Sequence, residues 1–171
     1  MMKILVFSDS HGNPSFMQEM ITRNRRADAV IFLGDGQRDI ELMRSLFPEI
    51  AFYIVRGNCD FGSDAPVKEI VNLDGARILY THGHYYNVKS TLYNMVCAAR
   101  EEKADIVLFG HTHQALTDYE DGLHIMNPGS ASGYQASCGV IDILPSGILT
   151  NIVYRKYQLS REFIIDIVQV K

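Results

Sequence analysis

Five of the six histidines in this chain sit in three short motifs: Asp9-Ser10-His11, Thr81-His82-Gly83-His84 and Gly110-His111-Thr112-His113. Between the first and second lie Gly34-Asp35, with Asp39 four residues on, and Gly57-Asn58-Cys59-Asp60. Carboxylate, imidazole and amide groups are the ligands of a mixed oxygen/nitrogen metal site. Brought together, they can hold two cations side by side.

Taken singly, each motif has a plainer reading. An Asp after a strand often caps a helix or turn, Asn after Gly is a common turn residue, and the His82 and His84 rings could be buried and hydrogen-bonded. His111-Thr112-His113 is more specific. Alternate residues on an extended segment reach neighbouring ions only if the backbone turns there, and Gly110 permits such a turn.

The elements that must position these motifs follow from hydrophobic patterning. Apolar runs predict strands over 3–8, 29–33, 51–55, 67–72, 77–81 and 105–109. Helical spacing predicts helices over 14–25, 37–47 and 88–103, the first opened by Pro14 and the second stopped by Pro48. Asp74-Gly75 and Asp121-Gly122 are hairpin turn pairs, Pro145-Ser146-Gly147 is a further turn, and a last strand is expected within 161–170. Strand–helix alternation followed by hairpins, one more helix and a strand-rich end implies an α/β protein with two sheets packed together and helices outside. Asp9, Asp35, Asn58, His82 and His111 each come just after a predicted strand. In open α/β sheets, sites gather beyond the carboxyl ends of strands.

With 171 residues and no long linker or repeat, one domain spanning 1–171 is expected. Hydrophobic residues make up 47% of the chain, as in a globular protein. No apolar run approaches the roughly 20 residues of a membrane span, and the N-terminus enters a strand directly, without a signal-peptide pattern. A cytoplasmic location without membrane attachment is expected. A net charge of −4 argues against nucleic acid as a partner. The one basic cluster, Arg23-Asn24-Arg25-Arg26, reads as a helix C-terminus favoured by the dipole. Three scattered cysteines, Cys59, Cys97 and Cys138, form neither a disulfide framework nor a zinc motif.

The ordered set from Asp9 to His113 resembles the calcineurin-like metallophosphoesterase superfamily, whose pattern reads DxH, GDxxD, GN(H)D/E, a further His in an HG setting, then GHxH. The size and the last two motifs look like its small, single-domain prokaryotic phosphodiesterase branch. The resemblance implies a four-layer αββα sandwich of two mixed β-sheets flanked by helices. It implies that Asp9, His11 and His113 bind one divalent metal, that Asn58, His82 and His111 bind a second, and that Asp35 bridges them. Mn is the expected metal, with Fe, Zn, Co or Ni as alternatives. Asp39 is expected outside the metal shell, bracing the loop or orienting a ligand.

The implied activity is hydrolysis of a small-molecule phosphate ester, foremost a phosphodiester, by attack of a metal-bridging hydroxide. The alternatives are a phosphomonoesterase and a non-catalytic metal-binding scaffold like the family member found in the retromer complex. Asp35 and Asn58 are catalytic candidates as ligands. Cys59 stands where the family has a His that assists the leaving group, and a thiol replaces an imidazolium poorly. Asp60 and His84 are the candidates to take over that task. Arg56 could reach a phosphate, and Tyr85, Tyr86 and Tyr134 could stack on a base or aryl group. Asn127-Pro128-Gly129-Ser130 reads as a β-turn and recurs near the site in this branch. His124 is expected to be structural. Exposed strand edges make a homo-dimer or higher homo-oligomer an expectation.

Overall fold

The computed structural model describes residues 1–155. The strand expected within 161–170 lies outside the described residues. Two five-stranded sheets are built from β1 (Met2–Phe7), β2 (Ala29–Phe32), β3 (Ala51–Ile54), β4 (Lys68–Leu73), β5 (Ala76–Thr81), β6 (Ile106–Leu108), β7 (Leu116–Glu120), β8 (Leu123–Asn127), β9 (Ser137–Leu144) and β10 (Gly147–Tyr154). Three α-helices, α1 (Ser15–Arg23), α2 (Gln37–Leu46) and α3 (Tyr93–Glu101), accompany them.

The first sheet has the order β10-β9-β1-β2-β3, with β1, β2 and β3 parallel and β9 antiparallel to both β1 and β10. The second has the order β4-β5-β6-β8-β7, with β5, β6 and β8 parallel and β4 and β7 antiparallel at the edges. Both sheets are therefore mixed, and six parallel strands run their carboxyl ends out of the two sheets.

The period-2 alternation of the strands sorts side chains into layers. Ile4 and Val6 join Ile31, Ile78, Tyr80, Ile106 and Leu108 in a core between the sheets. Leu5 and Phe7 point the other way, onto Phe16, Met17, Ile40 and Met43 of α1 and α2. Leu79, Val107 and Ile125 pack on Met95 and Ala99 of α3. Three apolar interfaces separate four layers, αββα, as expected. Each fully buried Leu, Ile or Phe contributes roughly 1.5–3 kcal/mol.

The Asp74-Gly75 and Asp121-Gly122 hairpins form as expected, with both residues of each pair at positive φ. The expected helix over 88–103 is shorter. Asn87 adopts a left-handed conformation, and Thr91 Oγ1 accepts the Tyr93 N–H at 3.2 Å, so the regular helix starts only at Tyr93. Such local side-chain capture competes with helix formation. Residues His84–Tyr86 form a short 3-10 turn instead of open loop.

Candidate metal centre

Each motif leaves its strand and turns sharply. Nine non-glycine residues among those described have positive φ: Asp9, His11, Asp35, Asp74, Asn87, Lys103, His111, His113 and Asp121. Five of these belong to the seven sequence-expected metal ligands. A left-handed backbone costs an ordinary L-residue roughly 1–2 kcal/mol, and such strain clusters at functional sites. Here it is held in place because the loops bond to one another. Asp9 N donates to the Gly34 carbonyl at 2.9 Å, His11 N to the Asp35 carbonyl at 3.1 Å, and Gly110 N to the His82 carbonyl at 3.1 Å.

Asp9 is fully buried. Its Oδ2 accepts Ser8 Oγ–H at 2.5 Å and the His111 N–H at 3.1 Å. Its Oδ1 accepts no hydrogen bond at all. That oxygen lies 3.1 Å from His113 Nε2, 3.8 Å from His11 Nε2 and 4.0 Å from His82 Nε2. His11 and His113 approach each other to 3.3 Å through their Nε2 atoms. A buried acceptor without a donor, beside converging ring nitrogens, is an arrangement that a cation satisfies.

His82, also fully buried, anchors the second group. Its Nδ1 lies 2.8 Å from the Leu33 carbonyl, which can only accept, so Nδ1 carries a proton and, in the neutral ring, Nε2 presents a lone pair. That Nε2 is 3.1 Å from Asn58 Oδ1, 3.2 Å from His111 Nδ1 and 3.5 Å from Asp35 Oδ2. Burial alone would lower the His82 pKa, but the hydrogen bond to Asp35 and the charges of Asp9 and Asp35 outweigh it and raise it. The cluster draws positive charge to this point, which a metal ion supplies without a proton. Burial lowers the His111 pKa, helped by His82 and Lys89, and a neutral ring is the ligating form.

Asp35 stands between the groups. A carboxylate oxygen of Asp35 clusters with an oxygen of Asp9 and a ring nitrogen of His82 in one set, and with a ring nitrogen of His11 and the sulfur of Cys59 in another, each set within 4.8 Å. Burial opposes its charge, yet the hydrogen bonds from His82 and the Cys59 N–H hold its carboxyl well below the usual carboxylate range. The site residues thus fit divalent cations in number, donor type and orphaned acceptor.

Of the catalytic candidates, Asp60 is engaged with the backbone of its neighbours. It is buried, and its two oxygens accept four backbone N–H groups: Asp35 at 2.7 Å, Gly36 at 2.9 Å, Gln37 at 2.8 Å and Gly57 at 2.8 Å. It caps the start of α2 and ties the loop after β3 to the loop after β2. Gly57 must be glycine, because a side chain there would run into the Asp35 carboxylate. Gly110 is needed for the same kind of reason and not for the turn itself: its φ is not positive, and a Cβ would strike Ser8 Oγ. The turning is done by His111 and His113 themselves.

His84 has a buried Nδ1 without a hydrogen-bond partner. Burial lowers its pKa, with His82 and Arg56 adding to this against the pull of Asp35, so it is a neutral ring beside His82. Cys59 is exposed. Desolvation, the bond and charge of Asp35, and the charges of Asp60 and Asp9 push its thiol up, so without a cation it is protonated. Cys59, His11 and Asp35 open onto a cleft of about 490 Å³ that runs past Gln37 and Arg38 to Phe61.

Sequence reasoning gave little weight to the residues that brace the ligands. Asp39 does so as expected, accepting Ser10 Oγ–H at 2.6 Å and the Gly12 N–H at 2.8 Å. Asn127, fully buried at the end of β8, donates to the Gly110 carbonyl at 3.0 Å and to Thr112 Oγ1 at 2.9 Å. Ser130 Oγ donates to the Asp9 carbonyl at 2.8 Å. The Asn-Pro-Gly-Ser turn therefore clamps the first and last motifs together. The signal was there in principle, because this turn too follows a strand.

Comparison with known proteins agrees with this geometry. A family model described as the calcineurin-like phosphoesterase superfamily domain matches residues 2–144. The chain is 35% identical over 131 residues to a probable metallophosphoesterase, YsnB, of Bacillus subtilis, covering 75% of each protein. It is 31% identical over 165 residues to phosphodiesterase MJ0936 of Methanocaldococcus jannaschii, covering 84% of this chain and 92% of that one. The crystal structure of Vps29 from Chaetomium thermophilum superposes with a TM-score of 0.81 over 99% of this chain and 95% of that chain, at 18% identity, a likeness of fold alone. With the motif order, the two mixed sheets and the matched domain in agreement, this chain belongs to the calcineurin-like phosphoesterase superfamily.

Proposed function

We propose that this protein is a divalent-metal-dependent phosphodiesterase with a dinuclear centre, acting on small-molecule phosphodiesters in the cytoplasm. The observation that carries this reading is the position of Asp35, whose carboxylate clusters at once with Asp9 and His82 and with His11 and Cys59. Asp9, His11 and His113 would hold one ion, Asn58, His82 and His111 the other, and Asp35 both. When bound, such a pair supplies an activated water and neutralises charge on the phosphoryl oxygens.

The chain's own residues do the rest. Leu33 orients His82, Asp60 holds the Asp35 backbone, and Asn127 holds the His111 loop, so the ligands are preorganised rather than ordered by substrate. The candidates for proton donation are a neutral His84 and a Cys59 thiol, neither an imidazolium. The leaving oxygen then departs with little help, which favours aryl and other activated diesters over alkyl esters. A diester carries one negative charge on its phosphate, and the cleft beside the site has a single cationic side chain, Arg38, among its lining residues. That suits a diester better than a dianionic monoester, which calls for clustered arginines.

Manganese is the first metal to try, with Fe, Zn, Co and Ni beside it. The test is metal analysis of the reconstituted protein together with turnover of aryl phosphodiesters, alkyl phosphodiesters and phosphomonoesters. Two ions per chain and turnover confined to diesters support the reading. Faster turnover of monoesters would replace it with a phosphomonoesterase, and two bound ions without any turnover would favour a metal-binding scaffold.

A further inference from the structure

Phe61 is 92% exposed, more than any other large apolar side chain among the described residues. Single apolar side chains on a surface are ordinary, but this one lines the cleft of about 490 Å³ that also opens onto His11 and Asp35. Its loop is tied down on both sides of the ring. The preceding Asp60 is buried and accepts four backbone N–H groups. Two residues on, Ser63 donates its N–H to the Asp60 carbonyl at 3.2 Å and its hydroxyl to Gln37 Oε1 at 3.0 Å. An apolar ring anchored in this way at the wall of a cleft offers a face to a planar partner. Covering it removes apolar surface from water at little further cost in ordering.

Arg38 is the cationic side chain of the same cleft. It lies in the first turn of α2, where the helix dipole disfavours a positive charge. Arg44, in the last turn of that helix, pairs with Glu41 at 3.3 Å, whereas Arg38 is exposed and has no carboxylate partner among the described residues. Its fork of N–H donors is thus open to acceptors on a bound molecule, and such a fork suits the edge of a heterocycle. The aromatic face of this cleft is not one of the tyrosines: none of Tyr85, Tyr86 and Tyr134 lines it. The Tyr85 ring lies 4.4 Å from that of His84, and Tyr86 packs against the core beside α3.

We propose that this cleft is the subsite for one ester arm of the substrate: Phe61 stacks on a planar ring in that arm and Arg38 donates to acceptors at the ring's edge, so that the preferred diesters carry a nucleobase-like heterocycle rather than an alkyl chain. An alkyl chain would cover the Phe61 face less fully and leave Arg38 without an acceptor. The volume agrees, since sites for small molecules span roughly 300–1,000 Å³. Phe61 and Arg38 determine specificity here, and no bond is made or broken at either. The proposal rests on the phosphodiester reading above and narrows its substrate class.

Binding of slowly cleaved diesters tests it separately from turnover. Dibenzyl phosphate, dibutyl phosphate and the ethyl diester of thymidine monophosphate are all alkyl esters with one negative charge, and they differ in the ring they carry. Their dissociation constants are measured by calorimetry on the metal-loaded wild type, F61A, F61W and R38Q. F61A should weaken dibenzyl phosphate and the thymidine diester by about fivefold or more, the scale of a base stacked on an aromatic side chain, and leave dibutyl phosphate nearly as before. F61W keeps a flat face and should keep the ring preference. R38Q should weaken the thymidine diester alone, because a benzyl ring has no acceptor at its edge. As Phe61 is exposed, F61A should melt at the wild-type temperature. Equal binding of dibenzyl and dibutyl phosphate by the wild type, or an equal loss of both in F61A, overturns the inference while leaving the phosphodiesterase reading standing. A thymidine diester bound equally well by R38Q overturns the part given to Arg38. Ring-dependent binding without turnover of any diester supports the subsite and overturns the catalytic reading. A wild type that binds none of the three overturns both.

Discussion

The carboxylate of Asp60 receives the backbone N–H of Asp35 at 2.7 Å, and so an acidic residue of the third motif positions the aspartate of the second. The same side chain accepts three further N–H groups, from Gly36, Gln37 and Gly57. The expected consequence of D60A is structural. Hydrogen bonds to a charged group contribute about 1.5–3 kcal/mol each, and their loss leaves buried donors unsatisfied, so a loss of at least about 3 kcal/mol in unfolding free energy is expected. Metal affinity should fall about 10–100-fold with it. Thermal unfolding and metal titration check this. A variant of unaltered stability that had lost only its activity on poor leaving groups would instead mark Asp60 as a proton donor.

Asn127 performs the corresponding task for the last motif. N127A removes the donor to the Gly110 carbonyl and to Thr112 Oγ1, and the acceptor of the Gly129 N–H. With the site fully buried, a cost of about 2–3 kcal/mol is expected. His111 should lose metal affinity although Asn127 touches no ion. Denaturant unfolding of the metal-free variant, set beside metal titration, separates the two effects.

Leaving-group dependence probes Cys59. C59H restores an imidazole where the family pattern has one. Rates on alkyl phosphodiesters should rise relative to aryl ones, by up to the 10²–10⁴-fold typical of a positioned general acid. The measurement is a series of diesters of graded leaving-group pKa. An identical slope for wild type and variant would show that this position takes no part in leaving-group departure.

The pH dependence of stability offers a test away from the centre. Burial lowers the pKa of His124, with Asp105 opposing, and its ring lies 4.6 Å from that of Tyr119. The unfolded chain takes up this proton as pH falls through about 6.5, whereas the folded chain takes it up only at lower pH. The unfolded state then binds more protons, so stability falls as pH drops below about 6.5 and levels off beneath the folded pKa. In metal-free protein, H124Q should flatten the decline in melting temperature between about pH 7 and pH 5. Parallel curves for the two proteins would show that His124 titrates alike in both states.

Much of the architecture could be read in the chain. The apolar runs at 3–8, 29–33 and 105–109 became buried strands, because a strand covered on both faces tolerates little else. The Asp-Gly pairs made their hairpins because both residues accept positive φ. The onset of α3 at Tyr93 departs from the helical spacing, since capture of the Tyr93 N–H by Thr91 is invisible to periodicity. Motif order and strand ends together named the side chains that meet, from Asp9 to His113. Their types follow from ligand chemistry, which is local and so is written in the chain.

What the fold alone decided is how those side chains are held. Sequence could not tell that five of the seven expected ligands would adopt left-handed backbone, that the Leu33 carbonyl would choose the tautomer of a neutral His82, or that Asp9 Oδ1 would be left without a donor. Nor could it tell that the Asp60 carboxylate would accept four backbone N–H groups. Each of these depends on groups tens of residues apart meeting within 3 Å or so. Residue identity limits what a side chain can do, but distance and desolvation choose among those possibilities, and both exist only once the two sheets have packed.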